Sequence, residues 1–234
     1  MRITRNINAE WEFLKEGEAT KQISIPHTWN AVDGQDGGND YFRGTCVYKK
    51  KLNKPEVKTG DRVYLEFNGV NSSAEVLVNG ESCAEHDGGY STFRVDMTDY
   101  LKDEIEIEVR VDNSPNQRVY PQRADFTFYG GIYRDVNLII VPTEHFDLDY
   151  YGAPGIKVTS EIEGNDAFVL IETYVVGDAD KVRITIDGIE TILCEGDNVR
   201  VMDNNKKLVS GSIKIPNVHL WNGRIDPYLY QARF

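Results

Sequence analysis

Along most of this chain the apolar residues recur at every second position. Val63, Leu65 and Phe67 alternate with more polar neighbours, and so do Ala74, Val76 and Val78. Ile105, Ile107, Val109 and Val111 alternate with Glu106, Glu108 and Arg110, and Val136, Leu138 and Ile140 continue the pattern. A strand turns successive side chains to opposite faces, so each run predicts a half-buried strand. Asn79-Gly80 separates two such runs and predicts a tight hairpin turn, since both residues tolerate positive φ. Only the stretch 96–102 suggests a helical turn, with Asp96 or Thr98 as its cap.

Pro142 closes the fourth run, because proline has no N–H to give to a ladder. Beyond it, strands are predicted at 156–162, 168–176, 182–186, 199–202, 212–215 and 228–234. Short strands at this spacing over about a hundred residues predict an immunoglobulin-like sandwich. The part before Pro142 is larger and richer in loops, which predicts a jelly-roll sandwich. The expected fold class is therefore all-β, with domains at 1–142 and 143–234. A chain of 234 residues suits two domains of ordinary size. Tyr228, Tyr230, Ala232 and Phe234 share one face of the last predicted strand, and a chain ending on such a face is expected to have been cut at a domain boundary.

Charge and composition narrow the partners. The formal net charge is −12, which argues against nucleic acid, because phosphate contacts need clustered Lys and Arg. Lys49-Lys50-Lys51 is the nearest basic cluster and reads as a solvated strand end. Cys46, Cys83 and Cys194 lie far apart and form no C-x-x-C pair, so neither a zinc site nor a disulfide framework is indicated. Reduced thiols suit a cytoplasmic protein. The N-terminal residues lack the apolar core of a secretory signal, and no run is long and apolar enough to engage a membrane as a spanning helix.

Chemical signatures are sparse. There is no nucleophile elbow, no phosphate-binding loop and no dinucleotide fingerprint, so no cofactor is expected. His27, His86, His145 and His219 never stand at metal-ligand spacing, so no metal site is expected either. Carboxylates are too abundant for any one pair to stand out, and Glu106 and Glu108 belong to a solvent face. The aromatic residues say more. Trp29, Tyr41, Phe42, Tyr90, Tyr120, Phe126, Phe128, Tyr129 and Tyr133 all fall in or beside loops of the first domain. Rings that stack on the C–H faces of sugars, among amides and carboxylates that take their hydroxyls, make a carbohydrate site. The same rings equally fill a core or an interface, and the residues alone leave both readings open.

Four stretches resemble one family. IPHTWNAVDGQDGGNDYFRGTCVYKK is similar to the opening of family 2 glycoside hydrolases of the bacterial β-galactosidase type, with its Pro-His-Thr-Trp-Asn and Tyr-x-Arg-Gly elements. RVYLEFNGVNSSAEVLVNGE resembles the family's strand end and V-N-G hairpin. Residues 125–141 resemble its D-F-x-x-Y-x-G-I-x-R-x-V signature, and HLWNGRIDPYLY resembles the end of its immunoglobulin-like domain. The four follow one another in the family's order along the whole chain.

The resemblance implies a jelly-roll sugar-binding domain and an immunoglobulin-like domain, followed in the family by a (β/α)₈ barrel that holds both catalytic glutamates. It therefore assigns no catalytic residue here. It implies a parent enzyme that hydrolyses β-galactosides, with Asn71 and Asp125 lining a composite sugar pocket completed by the barrel. Arg43 and Arg134 are candidates to orient the carboxylate, Arg134 being equally suited to a structural ion pair. Gly130-Gly131 departs from relatives that carry a bulkier residue before the second glycine, which leaves the shape of that loop open. The family often forms homo-oligomers through these β domains, and edge strands favour it. Three other readings stand beside this one: a free-standing carbohydrate-binding module, the same region of a β-glucuronidase or β-mannosidase, and a structural adhesion module.

Overall fold

The computed structural model of the chain describes residues 1–33, 41–120, 128–179, 181–194, 199–202 and 205–234. They divide into two compact units, Met1–Pro142 and Thr143–Phe234. Both units are built almost wholly of antiparallel strands, so the chain is all-β.

In the first unit the strands are β1 Ile3–Asn6, β2 Trp11–Lys15, β3 Lys21–Ile23, β4 Thr45–Asn53, β5 Arg62–Phe67, β6 Val70–Asn71, β7 Ser73–Val78, β8 Glu81–Asp87, β9 Phe93–Asp96, β10 Glu104–Asp112, β11 Gly131–Ile132 and β12 Val136–Val141. One sheet runs β1-β12-β5-β9 and the other β3-β2-β4-β10-β7-β8, while β6 pairs with β11 as a small ribbon. The chain crosses repeatedly between the two main sheets, as in a jelly roll. Their inward side chains form one core: Val63, Leu65, Phe67, Val95, Leu138 and Ile140 from the first sheet, with Trp11, Cys46, Tyr48, Val76, Ile107 and Val109 from the second. Lys50 falls on the same inward face as Cys46 and Tyr48 and is buried. Its ammonium donates to the carbonyl of Ala9 at 2.6 Å and lies over the Trp11 ring. Burial lowers its pKa.

The alternation in β10 is as predicted, with its four apolar residues fully buried between charged neighbours. β5 and β12 are a correction, since they are buried on both faces and not one. Tyr64, Glu66, Ile139 and Val141 occupy the second face. Glu66 is tolerated there because Arg94 reaches its carboxylate at 2.7 Å and the Asn137 amide donates to it at 3.1 Å. Asn79 and Gly80 both adopt positive φ, 53° and 84°, and join β7 to β8 as predicted. The Asn79 side chain also accepts the Glu106 N–H at 3.0 Å and donates to the Tyr100 carbonyl at 2.7 Å. The predicted helical turn shrinks to one 3₁₀ turn, Thr98–Tyr100, preceded by Met97. Asp96 accepts the Thr98 N–H at 3.0 Å, and the Thr98 hydroxyl accepts the Val63 N–H at 2.9 Å, which ties the turn to β5.

The second unit holds β13 His145–Phe146, β14 Ile156–Glu163, β15 Asp166–Val176, β16 Lys181–Ile186, β17 Ile189–Cys194, β18 Val199–Val201, β19 Lys206–Ile215 and β20 Ala232–Arg233. β13 and β14 both pair with β15, followed by β19 and β18; the second sheet is β17-β16-β20. Ala167, Val169, Ile171, Ile184, Ile186 and Ile213 form the core of this immunoglobulin-like sandwich. The predicted strand 228–234 is a second correction, because only Ala232–Arg233 pairs, with β16. Tyr228 is drawn off to donate its hydroxyl to Asp187 at 2.9 Å and to stack on His219, and Tyr230 accepts the His219 N–H.

Candidate functional site

The loops of the first unit are braced from inside by amides. Asn30 and Asn113 are almost completely buried. The Asn30 Oδ1 accepts from the Gly130 N–H at 2.8 Å and from the Asn113 Nδ2 at 3.1 Å. Its Nδ2 donates to the Phe42 carbonyl at 2.9 Å and to Asp33 at 2.5 Å. Asn113 Oδ1 accepts the Gly44 N–H at 2.9 Å. Arg43 Nε donates to the Asn113 carbonyl at 2.8 Å, and the Tyr41 hydroxyl donates to the Phe128 carbonyl. Buried amides with every partner supplied hold their surroundings in one arrangement. Here they lock 27–33, 41–44 and the end of β10 to the segment 128–132.

The same segment is held from the other side. Asn71 pairs with Gly131 in the β6–β11 ribbon. Its side chain is buried, with Nδ2 donating to the Tyr129 carbonyl at 2.9 Å. Tyr133 donates its hydroxyl to the Gly89 carbonyl, and Arg134 Nη1 donates to the Tyr90 carbonyl at 3.1 Å while lying over the Tyr133 ring. Asn71, Arg43 and Arg134 are thus drawn together around 128–134. Among the described residues both arginines serve backbone carbonyls, and neither is paired with a carboxylate. Asp125 and Phe126 lie outside the described residues.

His27 sits where this loop end meets the core. Its N–H donates to the Ile132 carbonyl at 2.8 Å, its Nδ1 is 2.8 Å from the Tyr48 hydroxyl, and the Phe13 ring packs against it. Burial lowers the His27 pKa and pushes the Tyr48 phenol up. The double glycine acquires its shape here. A Cβ on Gly130 would overlap the Trp29 ring and lie 2.7 Å from Asn113 Nδ2, and Gly131, at φ 126°, would place one 2.6 Å from the His27 carbonyl and the Tyr48 hydroxyl. The departure from the family pattern is therefore matched by close packing of Trp29.

The folded-state pKa of His27 lies below the unfolded value, about 6.5. The neutral ring's contribution is complete above that pH and is lost as the pH falls through it towards the folded value. His86, also lowered by burial, adds in the same direction. The melting temperature is therefore expected to fall between pH 7 and 5.5. In His27→Gln, which keeps a partner for Tyr48 without a titrating ring, that fall should shrink. Equal slopes for the two proteins in thermal melts would contradict this.

The loop aromatics divide. Trp29 and Phe42 pack on the core, whereas Tyr90, Tyr129 and above all Tyr120 are exposed. Exposed rings beside amides and guanidinium groups suit a polyhydroxylated ligand, whose C–H faces stack while its hydroxyls find partners. A separate groove of about 350 Å³ crosses the outer face of β4, β10, β7 and β8. Several of its polar groups already satisfy one another. Thr45 donates to Asp112 at 2.7 Å, Ser73 to Asp87 at 2.6 Å and Arg118 to Asp87 at 2.7 Å, which together with the Ser73 bond holds the Asp87 carboxyl below its usual range. Among the described residues no group of three metal-ligating side chains occurs.

The first unit is thus an antiparallel sandwich whose amide-braced loops carry exposed rings. Residues 36–142 match the family model described as glycosyl hydrolases family 2, sugar binding domain, and this part of the chain belongs to that family. The chain is 35% identical to a β-glucuronidase of Bacteroides fragilis, over 97% of this chain and 34% of that protein. It is 28% identical to a β-galactosidase of Thermoanaerobacter pseudethanolicus, over 98% of this chain and 31% of that one. Among solved structures, an FMN-binding β-glucuronidase from Facaelibacterium prausnitzii L2-6 superposes with a TM-score of 0.89 at 38% identity, over 99% of this chain and 36% of the other. The chain thus spans about a third of the length of these relatives.

Proposed function

We propose that this chain is the non-catalytic, sugar-recognising part of a family 2 glycoside hydrolase, and that it forms one wall of a pocket whose reacting carboxylates belong to a barrel domain. The observation that carries this reading is the segment 128–134, braced by Asn30, Asn71 and Tyr41 inside the sugar-binding family match. Asp125 lies three residues before that segment and is the acceptor proposed for sugar hydroxyls. Asn71, with its amide committed to Tyr129, acts as a positioning residue. The chemistry of the whole enzyme is retaining hydrolysis of a β-glycoside by two carboxyl groups about 5–5.5 Å apart. This chain alone is expected to hydrolyse nothing.

A β-glucuronide is the sugar favoured over the β-galactoside that the motifs alone suggested. The relatives at 35% and 38% identity are named β-glucuronidases. The β-galactoside remains the second reading because the relative at 28% is named a β-galactosidase.

The test is hydrolysis of nitrophenyl β-glucuronide and nitrophenyl β-galactoside by the enzyme that carries this chain. A kcat/KM ratio of about 100 or more for the glucuronide is expected, since a site built for one polar substituent discriminates steeply against its absence. The reverse ratio overturns the sugar assignment, and hydrolysis of neither overturns the reading. Asp125→Ala should lower kcat/KM about 10-fold, the worth of one charge-assisted bond.

A further inference from the structure

The loop before β14 breaks a local rule. Tyr151 and Gly152 both adopt positive φ, 47° and 70°, and the Ala153 N–H donates to the Tyr150 carbonyl at 2.8 Å. The first of these positions suits Asn, Asp or Gly, because a Cβ in the left-handed region costs about 1–2 kcal/mol. Tyrosine takes it instead, and its ring is 91% exposed. Within the second unit neither the backbone conformation nor burial of the ring favours that choice. Departures of this kind gather where a side chain meets a ligand.

The ring does not stand alone. Tyr150 lies nearly parallel to Tyr174, with centroids 3.9 Å apart and planes at 20°, and Tyr151 stands across Tyr150 at 5.1 Å and 73°. Tyr174 belongs to the outer face of β15, between the buried Thr173 and Val175. Glu172, two residues back on that face, pairs with Lys157 of β14 at 2.8 Å. The loop that carries the rings is fixed at both ends. Lys206 donates to both oxygens of Asp147 at 2.9 Å and reaches Asp149 at 3.5 Å. The Asp147 N–H donates to the Tyr174 carbonyl and the Tyr174 N–H to the Gly155 carbonyl, both at 2.8 Å. Gly155 lets the two ends meet, because a Cβ there would lie 2.6 Å from the Asp147 carbonyl.

We propose that Tyr150, Tyr151 and Tyr174 form a second carbohydrate site, within the second unit alone, that takes a neutral β-linked glycan. A pyranose whose hydroxyls are all equatorial presents C–H bonds on both faces, and such a face stacks on a phenol ring. Tyr150 and Tyr151, set nearly at right angles, offer two such contacts. Lys157 supplies donors and Glu172 acceptors for the hydroxyls at the rim of the sugar. These two form one ion pair, and Lys206 is matched by Asp147 and Asp149, so the platform has no surplus of positive charge to draw an acidic sugar. The chain's net charge of −12 repels one. A platform already held in place also loses little freedom on binding. Binding here needs neither a barrel nor hydrolysis, so it stands or falls apart from the proposed function.

Cellohexaose, a β-linked glucose oligomer, titrated into the ¹⁵N-labelled chain tests the proposal by NMR. Amide shifts at residues 149–152, 157 and 172–174 are expected, with a dissociation constant of about 1 mM or tighter. Tetragalacturonate at the same concentrations should leave those amides in place. Tyr151→Asn should weaken cellohexaose about 10-fold, the worth of one ring contact. Its melting temperature should hold or rise, because Asn suits positive φ. Binding lost without stability lost is what a merely structural tyrosine would not give. Tyr151→Phe, which keeps the ring, should bind like wild type. Absence of shifts at these residues up to about 10 mM cellohexaose, or shifts confined to residues 1–142, would overturn the proposal. So would a Tyr151→Asn chain that binds within about twofold of wild type or melts below it, or a Tyr151→Phe chain that loses as much as Tyr151→Asn. Tighter binding of tetragalacturonate would overturn the neutral assignment.

Discussion

Alanine at Gly131 is expected to destabilise the chain by about 4 kcal/mol, from backbone strain and forced overpacking together. The backbone there is at φ 126°, a region that side chains with a Cβ rarely adopt. The added carbon would also lie 2.6 Å from two oxygens, the His27 carbonyl and the Tyr48 hydroxyl. One of these is main chain and is fixed, because the His27 N–H is bonded to the Ile132 carbonyl. The strand of 131–132 would have to leave β6, taking with it the Tyr129 carbonyl that Asn71 holds. Urea unfolding followed by tryptophan fluorescence measures the loss. Tyr48→Phe in the alanine background should recover little, since the carbonyl contact and the φ remain. Gly130→Ala should behave differently, because its added carbon meets mainly the Trp29 ring; combining it with Trp29→Leu should recover a large part of its smaller loss. A Gly131→Ala protein within about 1 kcal/mol of wild type would refute the close-packing account.

How far this arrangement is legible in the sequence depends on which interactions are local. β10 reads cleanly because each apolar residue has a charged neighbour that stays in water. β5 reads only in part, since alternation marks the face of Val63, Leu65 and Phe67 but not the burial of Glu66, which depends on Arg94 28 residues away. Asn79-Gly80 is legible because positive φ is a property of the two residues themselves. Asp187-Gly188, at φ 42° and 87°, has the same chemistry and joins β16 to β17, but β17 was not among the predicted strands. At the loop end the motif strings are legible and their purpose is not. Asn30 stands inside Pro-His-Thr-Trp-Asn, and Asn113 lies two residues beyond the predicted run that ends at Val111, yet their mutual bond spans 83 residues. Nothing in either neighbourhood points to the other. Asp125, the site residue that the motif marks most directly, lies outside the described residues, so its role rests on the signature and on the kinetic test.

Replacing Asn113 should expose what the buried amides do. Asn113→Ala is expected to cost about 3 kcal/mol, because it strands a buried donor and withdraws a second donor from two carbonyl oxygens. The Gly44 N–H would lose its acceptor, and Asn30 Oδ1 and the Phe42 carbonyl would each lose a donor. A cavity alone would produce part of that loss, so Asn113→Asp is the discriminating partner. It keeps the acceptor for Gly44 but turns an ionised oxygen towards Asn30 Oδ1 and the Phe42 carbonyl, and should be at least as destabilising near pH 7. Burial beside those oxygens raises the introduced carboxyl's folded-state pKa above its unfolded value, about 3.9. Its penalty is then full above the folded value and shrinks as the pH falls through it, because the protonated acid donates where the amide did. Relative to wild type, Asn113→Asp should therefore gain stability on acidification while Asn113→Ala does not. In the enzyme that carries this chain, Asn113→Ala should raise KM more than it lowers kcat, since it loosens the loops that position the sugar and leaves the reacting carboxylates untouched. Parallel pH profiles for the two variants would reduce Asn113 to a space-filling residue.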